Sequence, residues 1–268
     1  MSNFQFQTVS NIISGLGSIV ELKNLLNDFS PRRVLLVTDP GIIQQQLHLP
    51  ILEIFESQHQ DYAIYSSVQA DPAAHIVLDA LQFAQQQQAD LILGFGGGSS
   101  LDVAKVLAVL AHPDQKQQLQ DLYGAGKAKR PRLPLILVPT TAGTGAEVTP
   151  AVIITTGKTV KTGIVSPALY ADAAILDASF TQNFPAQITA ATGIDAMVHA
   201  IEAYTSKIKK NPYADMLAKQ ALRLLNKNLP LALQDGSDLE ARQHMLVGSM
   251  LAGQAFANAP AGAVHRSE

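Results

Sequence analysis

A chain of 268 residues, 47% hydrophobic and 15% charged, can bury a globular core and has room for two moderate domains. Its formal net charge of −3, with no long basic run, argues against nucleic-acid binding by phosphate neutralisation. It has no cysteine, which excludes disulfides, thiolate metal sites and cysteine nucleophiles and suits a reducing cytosol.

The N-terminal residues lack the basic start and apolar core of a signal peptide. The most apolar stretches, such as residues 133–138, are strand-sized and too short to cross a bilayer. The expectation is a cytoplasmic protein that does not engage a membrane. Short apolar runs at residues 33–39, 62–65, 90–95, 135–138 and 174–176 read as buried parallel strands. Helical patterns at residues 47–59, 73–88 and 100–111 separate the first four, so the pattern is that of an open α/β sheet.

Asp39 ends the first of these strands. An acid there can accept a ribose 2′-hydroxyl and repel a 2′-phosphate, which favours NAD over NADP; it can equally cap a helix at Pro40-Gly41. The run from Gly94 to Lys105 takes a strand through Gly96, Gly97 and Gly98 into a helix. Glycines admit a pyrophosphate to the backbone, and free amides at a helix start can hold it; a tight strand-to-helix turn is the plainer reading. Ser99 is expected as the N-cap, with Asp102 closing a capping-box-like pair. Residues 124–127, Gly-Ala-Gly-Lys, follow no strand and read as a surface loop.

Pro139-Thr-Thr-Ala-Gly-Thr-Gly-Ala-Glu-Val148 follows another buried strand. Its hydroxyls and glycines favour a binding loop at the carboxyl edge of the sheet. Residues 152–155 and 161–165 read as a β-hairpin joined across Gly157-Lys158. The glutamine-rich stretches are expected as solvated helix faces and turns, and no internal repeat is evident.

Beyond Phe184-Pro185 the pattern turns helical, at residues 186–205, 213–226 and 239–256. The expected division is a dinucleotide-binding α/β domain over residues 1–182 and a helical metal-binding domain over residues 183–268. In the first helix Asp195 and His199 stand one turn apart on one face, so a carboxylate and an imidazole can reach one cation. With His265 they form a set suited to Fe(II) or Zn(II); a lone histidine on an apolar helix is otherwise a satisfied core residue. Glu202 is either outer support or exposed surface, and His48, His59, His75, His112 and His244 are expected at the surface. No Gly-x-Ser-x-Gly elbow is present.

Gly96-Gly-Gly-Ser99 with Asp102 and Lys105, Pro139 to Thr149, and Ala191-Thr-Gly-Ile-Asp-Ala-Met-Val-His-Ala-Ile-Glu202 together resemble the iron-containing (group III) alcohol dehydrogenases, over nearly the whole chain. The resemblance implies a Rossmann-like open parallel sheet domain, an all-α metal domain and a cleft between them. It implies nicotinamide-dinucleotide contacts at Asp39, Asp71, Gly97, Gly98, Ser99, Asp102, Thr140, Thr141, Thr144 and Lys161, and metal ligands at Asp195, His199 and His265. The implied reaction is reversible oxidation of a small alcohol to an aldehyde or ketone. NAD is the hydride acceptor, Fe(II), or alternatively Zn(II), is the Lewis acid, and no side chain is needed as base. A homodimer is a family-level expectation.

The family continues beyond Val264-His265 into a further histidine ligand and more helices, where this sequence has Arg266-Ser-Glu268. The chain is therefore expected to resemble a C-terminally truncated member, with the helix at residues 239–256 losing neighbours and exposing apolar surface. The alternatives are a dehydroquinate-synthase-like or glycerol-dehydrogenase-like NAD/metal enzyme, and a catalytically dead nucleotide-binding remnant.

Overall fold

The computed structural model describes residues 3–157, 159–182 and 184–260. Strand β1 (Asn11–Ser14) leads through a 3-10 turn into α1 (Leu22–Phe29), then β2 (Arg33–Val37), α2 (Pro40–Gln44), α3 (Leu49–Ser57), β3 (Asp61–Tyr65) and α4 (Ala74–Gln86). Next come β4 (Leu91–Gly96), α5 (Gly98–Leu110), the one-turn α6 (Leu119–Leu122), β5 (Gly124–Ala125) and β6 (Leu135–Pro139). The hairpin strands β7 (Ala151–Thr156) and β8 (Val160–Val165) precede β9 (Ala173–Leu176), after which the chain is helical: α7 (Ala186–Thr205), α8 (Pro212–Gln234) and α9 (Leu239–Asn258).

The main sheet has the order β1-β9-β6-β4-β2-β3, with every pairing parallel. Strand alternation sends side chains to opposite faces. Leu35 and Val37 of β2 join a core with α4 and α5, while Val34 and Leu36 join one with α1 and α3. Each such buried aliphatic side chain contributes about 1.5–3 kcal/mol of transfer free energy. The chain leaves β2 outward to β3 and then returns to the other side of β2 as β4. That reversal is a topological switch point, and crevices open at the carboxyl ends of such strands. Asp39 and the glycine run stand there, after β2 and β4.

The hairpin belongs to a second sheet of order β5-β8-β7, with β7 and β8 antiparallel. Residues 124–127 are therefore more than a surface loop, because Gly124 and Ala125 pair with Ile164 and Val165 as β5. Strand β1 is too short to carry a period in the sequence, whereas helix α1 places Leu22, Leu25, Leu26 and Phe29 on one face at helical spacing. Their burial comes from the sheet edge and the face they cover.

Small residues set the helical packing. Ala196, Ala200 and Ala203 of α7 meet Ala214, Ala218, Ala221 and Leu225 of α8 and Ala241, Met245, Ala252 and Ala255 of α9. Helix α8 runs past the expected end at Asn226 and through Pro230 to Gln234. Proline removes one helix hydrogen bond, and the packing of Leu229 and Ala232 carries the helix across that gap. The expectation of an exposed α9 is overturned, since α9 is buried along most of its length between the sheet region and the other two helices. The exposed apolar face lies on α7 instead, where Ile194 is 52%, Val198 44% and Ile201 48% exposed. Among the described residues, no helix is long and apolar enough to cross a membrane.

Candidate functional site

Strand β4 ends at Gly96, whose φ of 148° lies where side chains are strained, and a Cβ there would come within 2.8 Å of Ser100 Oγ and 3.1 Å of Asp39 Oδ2. Helix α5 begins at Gly98, with Gly97 rather than Ser99 at the N-cap position and no side-chain cap. The expected capping box is thus absent, because Asp102 turns inward: Oδ1 accepts from Lys105 Nζ at 3.3 Å and Oδ2 from the Ile153 amide at 3.0 Å. The N–H of Leu101 makes the helix's bond to Gly97 O, so the amides of Gly98, Ser99 and Ser100 precede it without an acceptor inside the helix. A phosphate fits such a cradle, since the amides need an acceptor and no Cβ projects from the two glycines.

Of the two readings of Asp39, the structure shows the helix cap. Oδ1 caps α2 through the Gly41 and Ile42 amides at 2.9 and 3.2 Å, while Oδ2 accepts from Ser100 Oγ at 3.3 Å. The carboxylate therefore faces the glycine turn across the switch point.

The threonine loop lies against the same turn. The Thr140 amide donates to Gly96 O at 2.9 Å, and Thr144 Oγ1 lies 3.0 Å from where a Gly98 Cβ would be. Thr140 is fully buried, yet its Oγ1 has no hydrogen-bond partner. A buried hydroxyl without a partner is costly and fits a ligand that supplies one. Gly145, at φ 59°, presses against α9, where its Cβ would sit 2.7 Å from Gly253 Cα. A Gly143 Cβ would come within 2.8 Å of Thr192 Cβ on α7. The loop is clamped between the sheet and two helices.

Behind the two loops Lys105, fully buried, donates to Asp102, to Thr149 Oγ1 at 3.4 Å and to Ala151 O at 2.9 Å. Burial lowers the Lys105 pKa and raises that of Asp102, while each charge partly offsets the effect on the other. Burial also pushes the Glu147 carboxyl up to about 7, with its own amide and the Lys105 charge opposing. Neither Lys105 as a hub nor Glu147 was singled out from sequence. The signal available was a lysine inside the otherwise apolar helix α5 and a single acid in the threonine loop.

On α7, Asp195 Oδ1 and His199 Nε2 stand 3.9 Å apart. Two metal–ligand bonds of about 2.1 Å span at most about 4.2 Å, so both atoms can reach one cation with little adjustment. The His199 ring packs on Phe256 of α9 with centroids 5.1 Å apart. Glu202 Oε2, one turn on, is shielded without a hydrogen-bond partner. His265 lies outside the described residues. Among the described residues no cluster of three metal-ligating side chains forms.

A small crevice of about 20 Å³ lies between the threonine loop and the start of α7, walled by Thr140 and Thr141 and by Thr189, Thr192 and Arg242. Ile188 and Thr192 line it, and Asp195 and His199 continue the same stripe of α7 at helical spacing. Asp71 and Lys161 lie apart from the crevice as an exposed ion pair at 2.8 Å, between the hairpin and the loop before α4. Of the histidines expected at the surface, His48 is instead 8% exposed, with Nδ1 lacking a partner; it stands at the N-cap of α3, whose Ile51, Ile54 and Phe55 enter the core.

Known proteins share both the sequence pattern and the fold of this chain. A family model described as "Iron-containing alcohol dehydrogenase" matches residues 10–178, and one described as "Fe-containing alcohol dehydrogenase family, C-terminal" matches residues 189–268. The chain is 36% identical over 263 residues to a sulfoacetaldehyde reductase from Bilophila wadsworthia, covering 98% of this chain and 67% of the relative. The structure of a 1,3-propanediol oxidoreductase superposes with a TM-score of 0.92 at 34% identity, over 97% of this chain and 68% of that one. A sulfoacetaldehyde reductase from Bifidobacterium kashiwanohense, solved in complex with NAD+, superposes at 0.89 with 28% identity, over 97% of this chain and 69% of that one. Across such curated relatives the chain spans 59% to 68% of their length.

Proposed function

The chain belongs to the iron-containing alcohol dehydrogenase family, and from that premise we propose that it serves NAD-linked interconversion of a small alcohol and its aldehyde or ketone. Residues 1–182 form the nucleotide half in this reading and residues 183–268 the metal half. The observation that carries it is the continuous α7 stripe: Ile188 and Thr192 wall the crevice that the threonine loop closes, and Asp195 and His199 extend that wall.

In this reading the amides of Gly98, Ser99 and Ser100 hold the cofactor's pyrophosphate. Asp39 accepts a ribose hydroxyl with the oxygen that Ser100 now shares, and its charge disfavours a 2′-phosphate, hence NAD over NADP. Thr140 offers its unpartnered hydroxyl inside the crevice, while Thr141 and Thr144 border the glycine turn. Lys161 and Asp71 sit where they would meet the nucleotide's outer edge. Asp195 and His199 hold a divalent cation, Fe(II) or alternatively Zn(II), with His265 as third ligand; Phe256 fixes the plane of the His199 ring. When bound, the nicotinamide supplies the hydride acceptor and the cation supplies Lewis acidity toward the substrate oxygen. The chain's own work is then to seat, orient and exclude water.

Titration with NADH and assay of short alcohols with added Fe(II) or Zn(II) test the proposal, with metal content of the Asp195→Ala variant as control. Saturable NADH binding, alcohol-dependent NADH formation and loss of metal in Asp195→Ala are the expected results. Equal metal in both proteins removes the metal site. NADH binding without turnover under any metal leaves a nucleotide-binding protein in place of an enzyme.

A further inference from the structure

Helix α9 ends where two asparagine side chains take over its hydrogen bonds. No basic side chain stands in its last turn, and the residue after it, Ala259 at φ −142°, lacks the left-handed conformation that closes many helices. Asn258, 6% exposed, instead turns its side chain onto the backbone of the N-terminal segment. Its Oδ1 accepts from the Gln7 amide at 2.8 Å, and its Nδ2 donates to Gln7 O at 2.8 Å and to Gln254 O at 2.9 Å. A side-chain amide suits this pairing, since it carries donor and acceptor on separate atoms. The carbonyl of Asn258 accepts from Asn211 Nδ2 at 3.1 Å, and Asn211 is also the N-cap of α8. Just beyond, Ser206 Oγ at the end of α7 donates to Pro260 O at 2.6 Å. The end of α9 is thus fastened both to the N-terminal segment and to the turn between α7 and α8.

In the same last turn Phe256 holds its ring 5.1 Å from that of His199, at an interplanar angle of 47°. Helix ends fray unless they are tied, so a loose last turn would let the Phe256 ring leave the imidazole. His199 would then lose the surface that fixes its plane, although it lies on a different helix. We infer that Asn258 is a positioning residue of the candidate metal site: its bonds to Gln7 fix the last turn of α9 and, through Phe256, the aim of the His199 imidazole. This rests on the reading above that Asp195 and His199 hold a divalent cation. Removing a group that orients a metal-bound imidazole costs about ten- to a hundredfold in metal affinity. Asn258 acts one contact further out, so the expected loss is about tenfold.

The test is metal binding, read without turnover. Co(II), a coloured stand-in for Fe(II) or Zn(II), is titrated into the full chain, Asn258→Ala, Asn258→Asp, Phe256→Leu, Asn258→Ala combined with Phe256→Leu, and Tyr170→Phe. Asn258→Asp keeps the acceptor for the Gln7 amide but turns a carboxylate oxygen toward two carbonyls. Tyr170→Phe removes a different bond to the same segment, from Tyr170 Oη to Gln7 O at 3.0 Å, and is the control for a merely looser N-terminus. Co(II) affinity is expected to fall about tenfold in both Asn258 variants and in Phe256→Leu, to fall no further in the combined variant, and to be kept in Tyr170→Phe. Losses that multiply in the combined variant, or an equal loss in Tyr170→Phe, overturn the inference. So does a folded Asn258 variant with a lower urea midpoint and unchanged Co(II) affinity, which marks a purely structural role. Where circular dichroism shows that Asn258→Ala does not fold, the isosteric Asn258→Asp takes its place, and unfolding of both overturns the inference too. Failure of the unmodified chain to bind Co(II), or equal binding by Asp195→Ala, overturns the metal reading itself, and the inference falls with its premise.

Discussion

The carboxyl edge of the sheet and the outer face of α7 both border the crevice, yet they are held in opposite ways. At the sheet edge, backbone meets backbone: Gly145 presses on Gly253, and Gly96 leaves no room for a side chain beside Ser100 and Asp39. On α7 the face that carries Asp195 also exposes Ile194, Val198 and Ile201. The difference teaches where positional accuracy comes from. The glycine and threonine loops are fixed by contacts that tolerate no added atom, whereas the candidate metal ligands ride on a helix packed along one side only.

The largest effect that would sharpen this contrast is expected at Lys105. Its ammonium is fully buried and ties α5 to the exit of the threonine loop and to β7. Lys105→Met leaves Asp102 without its counter-charge, and removing one partner of a buried pair costs about 3–5 kcal/mol. Urea unfolding followed by circular dichroism reads that loss. A cost below about 1 kcal/mol would show that the loops are held by backbone packing alone.

Glu147 gives the next effect, and its sign follows from linkage. With its folded pKa pushed from 4.5 to about 7, the folded state keeps a proton that the unfolded chain has released across that window. Stability contributed by this group is full below pH 4.5 and is lost as pH rises to about 7, by up to about 3 kcal/mol. Glu147→Gln should remove this component. The difference in unfolding free energy between variant and parent is then expected to grow in the variant's favour from pH 5 to pH 7.5, and a flat difference refutes it.

Gly253→Ala probes the backbone contact itself. The added Cβ would lie 2.9 Å from both Gly145 Cα and Gly145 O, and overpacking of this kind costs about 1–3 kcal/mol. Because the strain falls on the threonine loop, weaker NADH binding should accompany the lower urea midpoint. Loss of stability with unchanged NADH affinity would separate the loop's packing from its proposed task.

Much of this was legible in the sequence where one physical signal dominated. Continuous apolar runs marked β2, β4 and β6, because strands buried on both faces need no alternation. The glycine and threonine motifs marked the carboxyl edge, and the spacing of Asp195 and His199 put both on one face of α7. Other features were not legible, because they depend on what lies across the fold. Ser99 and Asp102 have the spacing of a capping box, but Lys105 and the Ile153 amide compete for the carboxylate and win it. His48 looks like any surface histidine until α3 folds under the sheet. The burial of α9 and exposure of α7 could not be told apart from composition, since both helices are apolar around most of their circumference.

The smallest expected effect tests that last distinction. Ile201 is 48% exposed on α7, while Ala200 beside it is fully buried in the alanine seam with α8 and α9. Ile201→Ser removes a side chain that is half in water already, and surface substitutions away from special features fall within about 0.5 kcal/mol. Ala200→Leu forces three carbons into a seam built for methyl groups, at about 1–3 kcal/mol or more. The pair of variants, compared by urea midpoint, therefore reads the two faces of one helix against each other. A costly Ile201→Ser would mean that the outer face of α7 is covered in solution, by a second copy of the chain or by residues outside those described. Repeating the measurement over a tenfold range of protein concentration then distinguishes the two, because only association between copies makes the cost depend on concentration.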